Sequence, residues 1–589
     1  MDEMKKIKEH YIDEIKFYGK ESRKFSNLRL IAVLLIIGVA LANFKNLLHF
    51  PYIAIEILLI AAFIFVVIKE GNADRHKRRG ENIVNIIENY KKREQGQWTE
   101  FQETGEEFAE NYSYLLDLQI LGENSLYQFL NCATTLGGKK KLAKKFKTTM
   151  ECNPKSIKAD AEVYQVAVGE LAENTELLLK FQEKLVDIKG MDQMEAENEK
   201  DAFEMKRKFS NVDFAISLIL SAVTICLAVM SKFNIHCLLA LVPMVFIQFM
   251  SGVLYQNTYS KEIKGTGKNV KKLRELQEVC QLFENQNFKS SKLKELTNQL
   301  IASKEIFKKM KKIDALESFR RNFLMWFIGN VFLSLNRFIV REYGKIQSLD
   351  KTKLYESLLA IEELEVLVSL TTINLVKRVT CKPELIEDTS LKVKNIKHPM
   401  LVEEKCVAND FQSGRKINII TGSNMSGKTS FMKTIGVNLV LAYSGGYVNS
   451  ELFVAPVMRI YTSINVKDDI NKGISKFYAE LLRLKDAIEG ADQGEKMVLF
   501  VDEIFSGTNY QDRMYGAKNI INKLSQEDVI GFITTHDFEL CEIDNQNIEN
   551  YHFSEEYVDG KMNFSHKIQY GKCNGTNAIE LMNETGILY

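Results

Sequence analysis

Residues 417–429 read INIITGSNMSGKT, and this stretch decides the fold of the C-terminal part of the chain. The β-branched run Ile417–Thr421 predicts a buried strand, and Gly422–Thr429 fits GxxxxGK[ST] and leads into a helix expected to reach Tyr443. A glycine-bracketed loop between a strand and a helix turns backbone N–H groups and the positive end of the helix toward an anion. The sequence therefore predicts an α/β domain built around a phosphate-binding loop.

This loop also supplies functional side chains. In the motif, Lys428 reaches the β and γ phosphates of a nucleoside triphosphate, and Thr429 offers its hydroxyl to Mg²⁺. We therefore expect ATP and Mg²⁺ as cofactors. The residues predicted to hold the nucleotide are Gly422, Ser423, Asn424, Met425, Ser426, Gly427, Lys428, Thr429 and Ser430.

A pair of acids follows a second predicted strand. The continuous apolar run Val498–Val501 is typical of a strand covered on both faces, and it ends in Asp502 and Glu503. Asp502 can hold Mg²⁺ through water, and Glu503 can polarise the attacking water while the metal and Lys428 absorb charge. We predict that Asp502 and Thr429 serve the metal and that Glu503 and Lys428 are catalytic.

A histidine follows a third apolar run, Val529–Ile533. His536 would then lie at the carboxyl end of a strand, where open α/β sheets bind their ligands and where it can contact a γ-phosphate. A lone histidine is more often a structural imidazole, but its place after the third strand of this set favours a catalytic role.

Length and composition limit the other functions. A chain of 589 residues exceeds a single hydrophobic core and predicts about three or four structural units. The 78 Lys and Arg nearly balance the 77 Asp and Glu, so the net charge of +1 gives no global basic field to attract nucleic acid. The nine Cys form neither a CxxC pair nor a cluster with zinc spacing, which predicts reduced thiols.

Four apolar stretches predict two transmembrane hairpins. The predicted spans are residues 28–48 and 51–68 and, in a second and clearer pair, residues 214–231 and 235–255. Buried helices of a soluble bundle are the alternative for both pairs. The shorter run Phe323–Leu335 fits a buried helix better and is not counted as a span.

Positive charge around these spans is uneven. Arg75–Arg79 and Lys206–Lys208 lie on one side of the predicted membrane, whereas the connecting loops hold only Lys45 and Lys232. The positive-inside bias therefore predicts a multi-pass protein of the cell membrane, with the lipid bilayer as a partner and both termini in the cytoplasm.

The apolar stretches divide a chain that otherwise shows helical periodicity up to residue 385. The fold class predicted is a multidomain α and α/β protein with transmembrane helical hairpins, a long helical core and lever, and a C-terminal P-loop domain. The predicted units are residues 1–80 with the N-terminal helix and first hairpin, 81–209 as helical core, 210–260 with the second hairpin, 261–385 as lever helices, and 386–589 as the α/β domain.

The motifs together resemble one family. The segment TGSNMSGKTSFMKTIGVNLVLAYSGGYV, Thr421–Val448, resembles the phosphate loop and following helix of the MutS mismatch-repair ATPases. LFVDEIFSGTNYQD is similar to the family's Walker B and D-loop, TTHDFEL to its histidine motif, and DDINKGISKFYAEL, which starts at Asp468, to its counterpart of the ABC signature. More weakly, Ser125–Phe146 resembles the start of the family's helical core, and Leu358–Ile373 resembles the end of its lever.

The resemblance implies an ABC-like ATPase that works as a head-to-tail homodimer. Gly473 and Ser475 of one subunit would approach the phosphate held by Lys428 of the other, and His566 would lie against the adenine ring. One departure concerns Cys406, which stands where an aromatic side chain often packs on adenine.

Three functions remain open at this stage. The first is a membrane-anchored, MutS-related ATPase in which closure on ATP moves the lever and the membrane helices. The second is a membrane-tethered DNA-binding clamp, which neither the net charge nor a recognisable mismatch-reading domain supports. The third is a small-molecule exporter, for which no polar pathway is evident, although Glu56 and Gln248 leave it open.

Overall fold

The protein is described here by a computed structural model. The structure describes residues 2–45, 50–109, 112–151, 153–188, 193, 195–196, 211–231, 235–321, 323–347, 351–423, 425–464, 476–505, 507–558 and 561–572.

The N-terminal part is a pair of long antiparallel helices, α1 (Asp2–Lys45) and α2 (Phe50–Glu94). An ion pair between Lys8 and Glu88 joins the start of the first helix to the end of the second. The predicted loop of the first hairpin falls on residues 46–49, which lie outside the described residues.

Helices dominate the chain up to residue 376. The further helices of this part are α3 (Ser113–Asp117), α4 (Leu126–Leu130), α5 (Leu136–Glu151), α6 (Pro154–Ala172), α7 (Thr175–Val186), α8 (Asn211–Met230), α9 (Ile235–Glu284), α10 (Ser291–Ala302), α11 (Lys304–Arg321), α12 (Phe323–Leu333), α13 (Leu335–Gln347), α14 (Lys351–Leu370) and α15 (Thr372–Val376). Short 3₁₀ turns lie at Gln97–Glu100 and Glu106–Phe108.

Two predicted domain boundaries fall inside continuous helices. Residue 80 lies within α2 and residue 260 within α9, so each helix carries an apolar half and a charged half. The sequence changes character at these points because the helix surface changes its surroundings, and a helix does not need to end where that happens.

By length and composition, one helical stretch in the described part, Ile235–Leu254, could cross a membrane. Phe214–Met230 is apolar but shorter. The prediction of two complete transmembrane hairpins is thus supported at one of its four spans. The comparison covers described residues only, and the side chains of residues 40–54 in the first pair lie outside them.

The predicted change to an α/β fold is confirmed after α15. The strands are β1 (Glu384–Ile386), β2 (Leu391–Ile396), β3 (Asn409–Ser413), β4 (Ile417–Thr421), β5 (Leu452–Pro456), β6 (Arg459–Ser463), β7 (Met497–Val501), β8 (Val529–Thr534), β9 (Ile548–Val558) and β10 (Lys561–Tyr570). The helices are α16 (Lys428–Tyr443), α17 (Lys476–Asp492) and α18 (Tyr510–Leu524), with 3₁₀ turns at Glu403–Lys405 and Phe538–Glu542.

The strands form two sheets. The smaller has the order β1-β5-β2-β3, and the larger has the order β10-β9-β4-β8-β7-β6. In the larger sheet β9, β4, β8, β7 and β6 are parallel, so their carboxyl ends meet at one edge. Every residue of β4, β7 and β8 is buried, which explains their unbroken apolar sequences.

The helical part and the α/β part pack against each other through one hydrophobic core. Leu118 fills the space left by the missing side chain of Gly436 on α16, where an added Cβ would lie 2.7 Å from its Cδ2. Tyr164 packs against Gly445 in the same way. These close contacts fix the helix that follows the phosphate-binding loop on the helical core.

A buried carboxylate joins the start of α5 to α14. Glu365 accepts hydrogen bonds from the backbone N–H groups of Thr134 at 2.6 Å and Thr135 at 3.0 Å, and from the Thr135 hydroxyl. Gly138 makes room, since a Cβ there would lie 2.2 Å from Glu365 Oε2. Burial raises the pKa of Glu365 to about 7, although these hydrogen bonds oppose the shift.

The raised pKa predicts a pH dependence of stability. Between the ordinary pKa of 4.5 and the folded value of about 7, the folded state keeps a proton that the unfolded state loses, so stability falls as pH rises through this window. Glu365→Gln should flatten this fall. The melting temperatures of variant and wild type, measured from pH 5 to pH 8, should diverge in favour of the variant as pH rises. Glu356→Gln, on the exposed face of α14, is the control and should follow the wild type.

Candidate nucleotide-binding site

Two glycines shape the loop between β4 and α16. Gly422 has a φ of 144° and Gly427 a φ of 115°. Residues that carry a Cβ rarely adopt these backbone conformations. A Cβ on Gly422 would lie 2.8 Å from the Ser426 hydroxyl, and a Cβ on Gly427 would lie 3.3 Å from Nδ1 of His566. The absence of these side chains keeps the concave side of the loop open to an anion of phosphate size.

Lys428 is the first residue of α16 and brings a positive charge to the loop. Its side chain is buried, and Nζ donates hydrogen bonds of 2.8 Å to the carbonyl oxygens of Gly422 and Ser423. The N-terminus of α16 adds the partial positive charge of its unpaired N–H groups at the same place. The loop therefore combines a fixed ammonium group with a helix end suited to an anion.

Asp502 links this loop to the end of β7. The hydroxyl Oγ1 of Thr429 lies 3.0 Å from both carboxylate oxygens of Asp502, and the hydroxyl of Thr534 donates to Oδ1 at 2.7 Å. The same Thr534 oxygen accepts the backbone N–H of Glu503 at 2.8 Å. A continuous polar chain thus joins the carboxyl ends of β4, β7 and β8.

Glu503 and His536 form a second pair beside this chain. Nε2 of His536 lies 3.1 Å from Oε1 of Glu503. Glu503 has a φ of 52°, a left-handed conformation that is uncommon for a residue with a side chain and that occurs often at functional sites. Both side chains are about two-fifths exposed, so water can reach the carboxylate.

A cavity of about 270 Å³ extends from the loop toward β2, β3, β9 and β10. Its lining includes eight of the residues predicted to form the site: Ser423, Met425, Gly427, Lys428, Thr429, Ser430, Glu503 and His566. The other lining residues are Ile396, His398, Leu401, Lys405, Cys406, Val407, Asn409, Phe431, Thr434 and Phe553.

His566 lies beside the glycine loop, at an irregularity in β10. Its φ is 50°, and the pairing of β10 with β9 shifts between Phe564 and Ile568. Nδ1 lies 3.0 Å from the carbonyl oxygen of Ser426, which can only accept, so Nδ1 carries the proton. Asn409 fixes this segment, because its side chain donates to the His566 carbonyl and accepts from the Ile568 N–H.

His398, two residues after the end of β2, also lines this cavity. Burial lowers its pKa to about 4, and Lys377 and Lys433 add to the effect, so the imidazole is neutral at physiological pH. The uncharged ring, together with Val407 and Leu401, makes this end less polar than the loop end. A nucleotide with an apolar base and a charged phosphate tail would match this gradient.

The residues present fit ATP and Mg²⁺. The glycine loop leaves room for a phosphate, and the hydroxyl of Thr429 and the carboxylate of Asp502 are the hard oxygen ligands that Mg²⁺ takes. Cys406 lines the cavity where the family resemblance placed an aromatic side chain. A thiol offers less stacking surface than an aromatic ring.

Some predicted residues lie outside the described part of the chain, namely Asn424, Gly473 and Ser475. Others were missed by the sequence analysis. Thr534 was quoted only as part of a motif. Asn409 and Phe553 lie in strands, and Val407 lies just before β3, in sequence that carries no local signal of nucleotide binding.

Comparisons with known proteins agree with this geometry. Residues 418–587 match the family model of MutS domain V. They contain the glycine loop, the Asp502 and Glu503 pair, His536 and His566.

Two proteins that are similar to this chain have the name DNA mismatch repair protein MutS. The chain is 31% identical over 263 residues to the one from Geobacillus sp. (strain WCH70), covering 43% of this chain and 29% of that protein. It is 32% identical over 256 residues to the one from Listeria monocytogenes serotype 4b (strain CLIP80459), covering 42% of this chain and 28% of that protein. The chain therefore matches less than a third of the length of these relatives.

The glycine loop leads to a test of the site. In Gly422→Ala the added Cβ would be too close to the Ser426 hydroxyl and to the Phe553 carbonyl oxygen, 3.1 Å away, at a φ that alanine disfavours. We expect the affinity for Mg²⁺-ATP to fall at least about tenfold, measured by isothermal titration calorimetry. Gly414→Ala, where the nearest atom to a Cβ is 3.8 Å away, is the control. Equal affinities in both variants would contradict the assigned role of the loop.

Proposed function

We propose that this chain binds ATP with Mg²⁺ and hydrolyses it at the site formed by the glycine loop, Asp502 and Glu503. The observation that carries the proposal is the hydrogen-bonded chain from Thr429 through Asp502 and Thr534 to the backbone of Glu503. It holds the two predicted magnesium ligands and the predicted base at fixed positions beside Lys428.

The roles of the residues follow from their chemistry. Lys428 and the N-terminus of α16 would hold the β and γ phosphates, and Thr429 and Asp502 would hold the metal. Mg²⁺, when bound, would neutralise part of the negative charge of the phosphates. Glu503 would orient a water molecule and take its proton, while His536, 3.1 Å from that carboxylate, would keep Glu503 in place and sense the γ-phosphate.

Activity in a dimer is part of the proposal. The resemblance to the family implies that Gly473 and Ser475 of a second subunit complete the site. Residues 465–475, which include both, lie outside the described residues, and the described residues on either side contact the helical core. Asp117 of the helical core accepts hydrogen bonds from the backbone N–H of Ile464 at 2.9 Å and from Arg483 at 2.6 Å, on either side of this segment.

This contact also couples the site to the helices. Asp117 is buried, burial raises its pKa, and the charge of Arg483 opposes that shift. Through these two hydrogen bonds Asp117 ties Ile464, which follows β6, and Arg483 of α17 to α3 and to the helical core. We propose that ATP-driven closure reaches the lever helices by this route.

A position in the cell membrane, with the α/β domain in the cytoplasm, is our proposal for the apolar helices. Only 11% of the Ile235–Leu254 stretch is buried, whereas a core helix of a soluble protein would be mostly buried. On the first pair, Leu34 is 62% exposed and Leu58 71% exposed. Contiguous apolar surfaces of this kind fit a lipid environment.

DNA binding is the second candidate function, because the relatives are named for DNA mismatch repair. The chain matches less than a third of their length, and its net charge of +1 gives this candidate no electrostatic support. Duplex binding that weakens as salt rises would favour it. No observation favours an exporter, since the polar cluster around Gln248 encloses a cavity of only about 10 Å³.

The roles of Glu503 and Lys428 predict that their substitution affects different steps, turnover in one case and ATP binding in the other. Glu503→Gln keeps the shape of the side chain but removes the base, so ATP should still bind while turnover falls at least about a hundredfold. Lys428→Ala removes the charge on the phosphates, so ATP affinity itself should fall. Nucleotide affinity and phosphate release are the two measurements.

Glu489→Gln, on the exposed side of α17, is the matched control for the loss of one carboxylate and should keep wild-type turnover. Full turnover in both Glu503→Gln and Lys428→Ala would overturn the proposed site.

Membrane insertion is tested on the most apolar helix. Leu239 and Val242 are 65% and 66% exposed, so Leu239→Lys with Val242→Lys should place two charges in lipid and weaken insertion. We expect a larger share of this variant than of the wild type in the soluble fraction after alkaline carbonate extraction. Val163→Lys with Val186→Lys, at exposed positions of α6 and α7, is the control. Extraction of the wild-type chain itself would refute the membrane assignment.

A further inference from the structure

A second cavity, of about 150 Å³, lies far from the nucleotide site, where α2, α7, α9 and α11 meet. Five cationic side chains line it: Arg75, Arg78, Arg79, Lys184 and Lys311. Three carboxylates face them, those of Glu183, Asp187 and Glu278. The lining therefore has a surplus of two positive charges, although the whole chain is nearly neutral.

The carboxylates are already engaged by part of the cationic set. Arg78 lies 2.6 Å from Asp187, Arg79 pairs with Glu278, and Nζ of Lys184 lies 2.9 Å from the same Glu278 carboxylate. Burial alone would raise the pKa of Glu278, but Lys184 and Arg79 lower it below its usual range. No ion pair joins Arg75 or Lys311 to another described residue, although the charge of Arg75 also helps to lower the pKa of Glu278.

The floor of the cavity holds polar atoms without partners. Nε of Arg79, Oε1 of Glu183 and Oε1 of Gln277 are buried and make no hydrogen bond within the described part of the chain. Nε of Arg79 and Oε1 of Glu183 are 3.7 Å apart, too far for a good hydrogen bond. Burial raises the pKa of the Glu183 carboxyl, and the charges of Lys184 and Arg79 oppose that shift. Unsatisfied buried donors and acceptors around an open space indicate a ligand or ordered water.

The size and the donors define the ligand class. Guanidinium groups bind phosphate oxygens with paired, charge-assisted hydrogen bonds, and lysines add point charge. A volume of about 150 Å³ suits a single phosphoryl group and is below the usual range for sites that enclose a nucleotide-sized ligand.

The place of the cavity points to how such a group could arrive. Arg75 and Arg78 follow the apolar half of α2, which ends near Ile68, and a helix rises about 1.5 Å per residue. The cavity therefore lies roughly two to three helical turns beyond the last apolar residues. Basic residues at this distance from a membrane span lie at the level of phospholipid headgroups.

We propose that this cavity binds a phosphoryl group, carried either by an anionic lipid headgroup or by a soluble phosphate. Such a ligand would join Arg75 and Arg78 of the first helix pair to Lys311 of α11, and so fix the first pair on the lever helices. The binding is independent of ATP hydrolysis and of the proposed nucleotide site.

The test uses the full chain in detergent with Lys428→Ala, which removes phosphate binding by the glycine loop. One arm titrates inorganic phosphate, and the other adds dispersed phosphatidic acid, with phosphatidylcholine as the neutral lipid. Affinity is measured by calorimetry and stabilisation by the melting temperature. In this background, Arg75→Gln with Lys311→Gln should weaken binding at least about tenfold, since two charge-assisted contacts are lost.

The control variant, Lys77→Gln with Lys308→Gln, removes two charges from the same helices outside the cavity and should change the affinity less than about twofold. Binding in the phosphate arm, lost in the cavity variant, assigns a soluble ligand. Binding of phosphatidic acid alone, lost in the same variant, assigns a headgroup. No binding in either arm, or an equal loss in both double variants, would overturn the proposal.

Discussion

The contact between the hydroxyl of Thr429 and the carboxylate of Asp502 is the interaction on which the rest of the C-terminal domain depends. It joins the helix after the glycine loop to the end of β7 and sets the distance between the two halves of the site. Thr534 extends the contact to β8 and to the backbone of Glu503. A parallel sheet allows this arrangement, because the polar residues at the carboxyl ends of neighbouring strands lie at the same edge.

Three structural features hold this contact in place. Buried apolar strands place the polar residues, the polar residues fix the cavity, and the helical core fixes the helix that begins at Lys428. Leu118 packs against Gly436, and Tyr164 packs against Gly445. The α/β part therefore cannot shift relative to the helical core without opening these contacts. Asp117 provides the polar counterpart of this packing.

The sequence predicted those features that depend on neighbouring residues. The strand Ile417–Thr421 and the end of the following helix at Tyr443 agree with the structure, and β7 differs from its prediction by one residue at its start. Loop glycines, helix starts and buried strands leave local patterns. The cap of α5 by Glu365 and the part of the cavity formed by Asn409 and Phe553 do not, because they are contacts between distant segments.

Helix continuity was equally hidden in the sequence. Boundaries were predicted at residues 80 and 260, where the sequence has become charged, although α2 and α9 continue through both points. Gly80 resembles the glycine that often follows a helix, but in the structure it lies inside α2, where a Cβ would be 2.8 Å from the Ile15 side chain.

The unbroken course of α9 has a mechanical consequence. At about 1.5 Å per residue, its 50 residues form a rod of roughly 75 Å, anchored at its C-terminal end by the buried side chains of Val279, Cys280 and Phe283. Pro243 lies inside the helix and is the place where it can bend, because proline removes a backbone hydrogen bond there. A tilt imposed at the anchored end is therefore carried, enlarged by leverage, along the helix as far as Pro243.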